Sequence, residues 1–292
     1  MGVYSIRDIE QLSGIKAHTL RIWESRYGII NPQRTETNIR YYGDEELRYV
    51  MNISLLNKNG FKISKIAAMS PEQVAEKVAA ISEVSYEHET QLDAMTISMV
   101  EMDEGKFDHI MRFNTQKLGF ERTMVEIIHP FLDKLSTLWL TGSLKPAQEN
   151  FMSALIRRKI IAAIDREPLP RRTRKSFLLY LPEGERQELS LLFVHYLLRR
   201  RGFRVIYVGA DTGLLDLADA CDVYTPDYFY TIISETFARV SLKNYVDSVS
   251  KRFNQTTLLL SGYQPVAQKI PDSTRVRVIR SLAETLRFVD AL

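Results

Sequence analysis

The sequence predicts a multidomain α/β protein in three parts, on three observations. Two short amphipathic segments joined by Ser13-Gly14 open the chain, apolar residues at steps of three and four dominate its middle, and short apolar runs alternate with helical segments from residue 176 onward. Its 292 residues suit two or three domains at about 100 to 200 residues each. Turn and charge punctuation places them at 1–70, 82–165 and 176–292, with a Ser70-Pro71 break after the first and the proline-broken basic stretch from Glu167 to Lys175 after the second.

Composition narrows the class. The chain is 45% hydrophobic and 26% charged, which excludes a disordered or collagen-like protein. No run reaches the roughly 20 apolar residues that cross a bilayer, and Met1 to Asp8 lacks the features of a leader, so a cytoplasmic protein with no membrane partner is expected. The single cysteine, Cys221, rules out an internal disulfide and a zinc cluster. Net charge is only +3, so any case for a nucleic-acid partner rests on local placement.

At the N-terminus, Ser5 is a cap residue and Ile6, Ile9 and Leu12 share one helical face. Ser13-Gly14 stops that helix, and a second runs from about Ala17 to Tyr27, giving a helix-turn-helix whose second helix enters a major groove. Lys16, His18, Thr19, Arg21 and Arg26 can reach phosphates and base edges from it, while Leu20 and Trp23 anchor the core. The stretch from Gly28 to Gly43, with Pro32, Arg34, Arg40, Tyr41 and Tyr42, reads as a wing with basic and aromatic tips. Any one of these arginines alone is as readily a solvated surface charge; the order of the whole segment decides.

That order, Leu20-Arg21-Ile22-Trp23-Glu24-Ser25-Arg26-Tyr27-Gly28 followed by Pro32-x-Arg34-Thr35 and Arg40-Tyr41-Tyr42, closely resembles the winged-helix DNA-binding domain of the MerR family of transcriptional regulators. The resemblance covers about Val3 to Met69, including a helix from Asp44 to Asn59. It implies sequence-specific binding of double-stranded DNA by a homo-oligomer, a dimer or tetramer, with Tyr27 joining the residues above at the interface.

In the middle part, Phe120, Met124, Ile127, Phe131, Leu135 and Leu138 mark one face of an amphipathic helix. Similar patterns over His88–Met102, Lys106–Leu118 and Ala147–Ala163 complete a four-helix bundle. In the last part, strands are expected at 177–181, 205–208, 228–233, 257–260 and 276–279, with helices between them, notably Glu188 to Arg201. Such alternation implies a parallel, Rossmann-like sheet with helices on both faces and a ligand edge at the carboxyl ends of its strands.

A bundle followed by such a sheet resembles the MerR subgroup with a cobalamin-binding sensor, which includes light-responsive repressors of carotenoid genes. The resemblance implies a histidine below the cobalt in Glu-x-His-x-x-Gly, and a Trp-x9-Glu-His motif above it. Here the lower motif falls on Glu185, Gln187 and Ser190, and the upper on Trp139, Glu149 and Asn150, so both histidines are amides. An amide is a far poorer donor to cobalt than an imidazole. Ser234, in Ser234-Glu235-Thr236, keeps the serine that faces the nucleotide tail, whereas the expected Gly-Gly is Gly262-Tyr263, a ring where the tail would pass.

The expectation is therefore a transcriptional regulator with no cofactor and no catalytic or metal-binding residues, whose cobalamin-like sensor has lost its ligand and serves in oligomerisation or in binding another regulatory protein. The alternative is an adenosylcobalamin-dependent, light-responsive repressor that tolerates Gln187 and Asn150. A cobalamin-dependent methyltransferase or mutase shares the α/β module, but no catalytic barrel, phosphate loop or nucleophile elbow is present in the sequence. His195, on a nearly all-apolar stretch, reads as a core or helix-face histidine more readily than as a substitute ligand.

Overall fold

Ser5 starts the first helix because its hydroxyl accepts the Asp8 amide while the Asp8 carboxylate accepts the Ser5 amide, satisfying two otherwise orphan N–H groups. This helix, α1 (Ile6–Ser13), ends at Gly14 with φ 74°, a conformation that glycine takes without strain. α2 (Ala17–Tyr27) follows, and β1 (Gln33–Arg34) pairs antiparallel with β2 (Arg40–Tyr41) as a small wing. In α3 (Asp44–Lys58) every residue from Val50 to Leu56 is buried. The computed structural model describes residues 3–34, 38, 40–84, 88–140, 143–170, 175–235 and 241–292, and the side chains of 82–84 and 139–140 are outside that description. The chain divides into two units, 1–155 and 156–292.

The rest of the first unit is helical: α4 (Ile63–Ile66), α5 (Pro71–Val84), α6 (His88–Glu101), α7 (Glu104–Leu118), α8 (Phe120–Thr123), a π turn (Met124–Ile128), α9 (His129–Leu140) and the start of α10 (Pro146–Arg166). The face expected from sequence is present, with Met124, Ile127, Phe131, Leu135 and Leu138 buried. The π turn, invisible in the apolar spacing, adds Ile128 to the buried set by inserting one residue into the helical register.

Polar contacts tie the segment before α10 to the helix-turn-helix. The Ser143 hydroxyl lies 2.6 Å from Asp8 Oδ1 and 2.7 Å from Gln11 Oε1. Lys145 Nζ donates to Asp44 Oδ1 at 2.6 Å and sits 4.9 Å from the centre of the Tyr4 ring, whose hydroxyl donates to the same carboxylate. Burial opposes the charge on Lys145, and its bonds to Asp44 and Tyr4 outweigh that, leaving its pKa above the ordinary value.

The second unit is a five-stranded parallel sheet in the order β4-β3-β5-β6-β7, built from β3 (Ser176–Tyr180), β4 (Arg204–Gly209), β5 (Tyr228–Ile232), β6 (Thr257–Ser261) and β7 (Val276–Ile279). Helices α11 (Glu188–Arg200), α12 (Leu214–Val223), α13 (Leu242–Arg252), α14 (Tyr263–Ala267) and α15 (Leu282–Asp290) lie between and after the strands. Alternate strand residues feed opposite cores: Leu178, Tyr180, Phe229 and Leu260 pack with Leu217, Val246 and Val249, while Phe177, Leu179, Tyr230 and Leu259 pack with Leu191, Val194 and Phe288. Among the described residues no helix is long and apolar enough to cross a membrane.

His195 on α11 stacks on Tyr207 of β4 with ring centroids 5.5 Å apart, and neither ring nitrogen has a hydrogen-bond partner. Burial, helped by nearby Arg199 and opposed by Asp165, holds its pKa down at about 4 against an ordinary 6.5. It is a half-buried histidine on the face of α11 that meets Tyr207.

Lys145→Ala is expected to cost about 1 kcal/mol of stability, the upper range for a half-exposed ion pair, and Asp44→Asn costs less in that variant than in the parent because the pair they share is already lost; urea unfolding of the single and double variants checks this. For His195 the folded pKa lies below the unfolded one, so the neutral ring's contribution is complete above pH 6.5 and is lost as pH falls toward 4. Between pH 7 and pH 4.5, His195→Phe should therefore lose about 1 to 2 kcal/mol less unfolding free energy than the parent, a discounted value for a group partly screened by solvent.

Candidate functional site

Leu20 and Trp23 set the rotation of α2 by burying their side chains in the first unit. His18, Arg21, Ile22 and Ser25, at steps of three and four, then share an exposed face, with exposed Arg26 beside it. Among the described residues no acidic side chain pairs with Arg21 or Arg26; the Arg26 guanidinium rests 5.5 Å from the centre of the half-buried Tyr27 ring. Thr19 is half-buried. Lys16, which caps α2, donates to Glu10 at 3.0 Å, and Glu10 also accepts the Ala17 amide at 3.1 Å. Those two contacts, Lys16 first, hold the Glu10 carboxyl below its ordinary pKa.

In the wing, exposed Arg34 donates to Asn38 Oδ1 at 2.7 Å. Arg40 is committed inward: its Nε and Nη2 donate to both oxygens of Glu24 on α2 at 3.1 to 3.3 Å, which fastens the wing to the helix. Tyr41 is half-exposed. Tyr42 lies elsewhere than the tip expected from sequence. It is 2% exposed and paired to Tyr4 through two backbone hydrogen bonds of 2.9 Å, and burial raises its hydroxyl pKa. Neighbours in a strand point to opposite sides, so Tyr41 at the surface puts Tyr42 in the core. Thr35 lies outside the described residues.

A second cluster forms at the carboxyl ends of β3, β5 and β6. The strand order reverses between β3 and β5, the switch point where open α/β sheets take ligands. Glu185, just after β3, is 5% exposed, and its Oε2 accepts the amides of Ser234 (2.6 Å) and Glu235 (3.0 Å) after β5. Gly262, after β6, has φ 103°, and a Cβ there would lie 2.4 Å from the Ile233 carbonyl oxygen. The Gln264 amide donates to that same oxygen at 3.0 Å, and its side chain donates to the Ser234 carbonyl at 3.3 Å. Glu185, Ser234 and Gly262 are therefore brought together, and Gln264 joins them; nothing in the sequence spacing singled it out.

The remaining pocket candidates are placed differently. Gln187 caps α11 with no side-chain cap bond, and Ser190 is exposed on the first turn of that helix. Tyr263 is 70% exposed at the start of α14. Trp139 is on α9 with its side chain outside the described residues, as is Thr236; Glu149 is half-buried and Asn150 exposed on the first turns of α10. As a donor set for cobalt this is poor. The only histidine in residues 156–292 is His195, whose ring is buried against Tyr207, and Gln187 offers an amide.

Residues 4–73 match the pattern of MerR HTH family regulatory proteins. The HTH-type transcriptional repressor CarA of Myxococcus xanthus is 30% identical over 238 residues, 80% of this chain and 76% of that protein. CarH of the same organism, also an HTH-type transcriptional repressor, is 26% identical over 254 residues, 85% of this chain and 83% of that one. A looser likeness of fold, with a TM-score of 0.36 and 15% identity over 71% of this chain and 97% of the other, links it to the crystal structure of a cobalamin-binding protein from Desulfitobacterium hafniense. With the repressor CarA matched at this identity along most of both chains, and with the N-terminal pattern in place, the chain belongs to the MerR HTH family of regulatory proteins.

Proposed function

We propose that residues 1 to about 70 read a pseudo-palindromic DNA duplex as part of a dimer or tetramer, and that the remainder is a sensor and oligomerisation module working without cobalamin. One observation carries the DNA reading: the exposed face of α2 presents Arg21 and Arg26 without acidic partners, while the cations around it, Lys16 and Arg40, are held in ion pairs. A single helix offers few base contacts, and two-fold pairing supplies a second half-site. The relatives' names support a regulator in place of an enzyme. The cobalamin-free reading rests on Gln187 and Asn150 standing where imidazoles are needed. The signal then arrives through a different ligand or through another regulatory protein.

DNA binding measured by fluorescence anisotropy across a salt series tests the first part. Arg21→Ala is expected to weaken operator binding by about 1 to 3 kcal/mol, as a base-reading residue does, and Arg26→Ala to lower the salt slope by about one. Arg40→Ala should weaken binding with the slope unchanged, and Glu24→Ala should reproduce it, the double variant being no worse than either single one. Unchanged affinity in both Arg21→Ala and Arg26→Ala would place the recognition surface elsewhere.

For the second part, the protein is dialysed against excess adenosylcobalamin in the dark and its absorbance spectrum recorded. No retained cofactor is expected, whereas Asn150→His, Gln187→His and Ser190→Gly together should restore some retention by returning the axial donors. Stoichiometric retention by the parent chain, or a light-driven change in its size, would reinstate the photoreceptor reading.

A further inference from the structure

We propose that the second unit carries a surface of its own for the phosphates of duplex DNA, at the edge of the sheet where the strands begin, opposite the switch point. In a parallel sheet each connecting helix returns the chain to that edge, so helix ends and strand starts share it. Six exposed cations stand there: Arg204 opens β4, Lys251 and Arg252 end α13, Arg275 and Arg277 flank the first residue of β7, and Arg287 lies in the last turn of α15. Among the described residues none of the six has an acidic partner. Asp227 and Asp290 at this edge take Lys175 and Arg201, and exposed Asp222 and Asp247, on α12 and α13, form no ion pair.

Cations in the last turn of a helix answer its dipole, which accounts for Lys251, Arg252 and Arg287. Arg204, Arg275 and Arg277 belong to strand starts, where no dipole calls for them. Three of the guanidinium groups rest on rings: Arg204 lies 4.0 Å from the centre of Tyr224, Arg277 4.7 Å from that of Phe288 and Arg252 5.9 Å from that of Phe253. A ring holds a guanidinium in place without using its N–H donors, which stay available as a fork for two phosphate oxygens. β4 and β7 are the two outer strands, so the row extends over about 19 Å, a length in which a duplex presents about eleven phosphates. The choice of DNA among polyanions rests on the DNA-binding reading above, since a duplex held by α2 is at high local concentration for the rest of the same chain.

The full chain is titrated with a fluorescein-labelled duplex of random sequence, about 30 base pairs long, and anisotropy is read between about 50 and 200 mM salt. Lys251→Gln, Arg252→Gln and Arg275→Gln together are expected to lower the salt slope by about 0.9 per lost contact, about 2.7 in all, and to weaken binding about ten-fold or more at the low-salt end. Arg204→Gln, at the far end of the row, is made separately and should lower the slope by about one; circular dichroism establishes that each variant is folded. Lys243→Gln with Arg280→Gln, which removes exposed charge from the opposite edge, should leave the slope unchanged. The triple change is repeated in an Arg21→Ala, Arg26→Ala background, where the same drop is expected because the two surfaces take different phosphates. A drop with the triple change, when Arg21→Ala and Arg26→Ala have no effect, would reject the reading of α2 and support this one. An unchanged slope in the folded triple and Arg204→Gln variants, an equal drop in the opposite-edge variant, or tighter binding of the parent to poly-glutamate or to phosphatidylserine vesicles than to the duplex would overturn the proposal.

Discussion

Seven consecutive buried residues, Val50 to Leu56, leave α3 no face for solvent, and a helix buried all round must be covered on every side. α1 and α4 cover part of it and α5 and α6 the rest, so one helix serves as core for both the helix-turn-helix and the bundle. Its ends are pinned by the bundle as well: Asp44 at the start receives Lys145, and Lys58 in the last turn reaches Asp93 at 2.7 Å and Glu89 at 3.1 Å. Asp44 in the first turn and Lys58 in the last complement the helix dipole, and their partners fix where α3 sits. The face of α2 inherits its orientation from this arrangement through Leu20 and Trp23.

In the second unit the corresponding constraint is backbone crowding where β5 and β6 end. Ile233 and Gly262 approach so closely that a side chain at 262 would collide with main chain, and the Glu185 carboxylate satisfies two amides of the turn that follows. Charge-assisted bonds of this kind are among the stronger ones, and removing the acceptor would leave two N–H groups without a partner at a buried carboxylate's place. Glycine at 262 and glutamate at 185 are thus required by the fold itself, whatever the sheet edge binds.

Periodicity made the helices and strands legible, because burial in this chain follows the simple periods of 3.6 and 2: the apolar face from Met124 to Leu138 and the five strands are where spacing places them. The π turn was not legible, since a one-residue insertion alters hydrogen bonding without altering composition. In the candidate sites, sequence identified the residue types and misjudged some directions. Arg40 and Arg34 are alike in the sequence, yet only Arg40 meets a carboxylate sixteen residues away on another element. Tyr41 and Tyr42 are alike too, and the pleat sends one outward and the other into the core. Each case depends on a direction set by tertiary structure, which a residue's type does not carry.

At the sheet edge Glu185 and Gly262 answer needs of the backbone, whereas the Gln187 side chain makes no cap bond on α11. The sheet edge is held by its own backbone, so the presence of the sheet is no argument for a bound corrinoid. Regulation still needs a path to the DNA-reading helix, and the first unit contains a short one. The segment between α9 and α10 places Ser143 on Asp8 and Gln11 of α1, and Lys145 on Asp44 of α3. A ligand or partner that shifts this joint pulls directly on α3 and on α1, against which α2 is packed, so the coupling does not require cobalt anywhere along it.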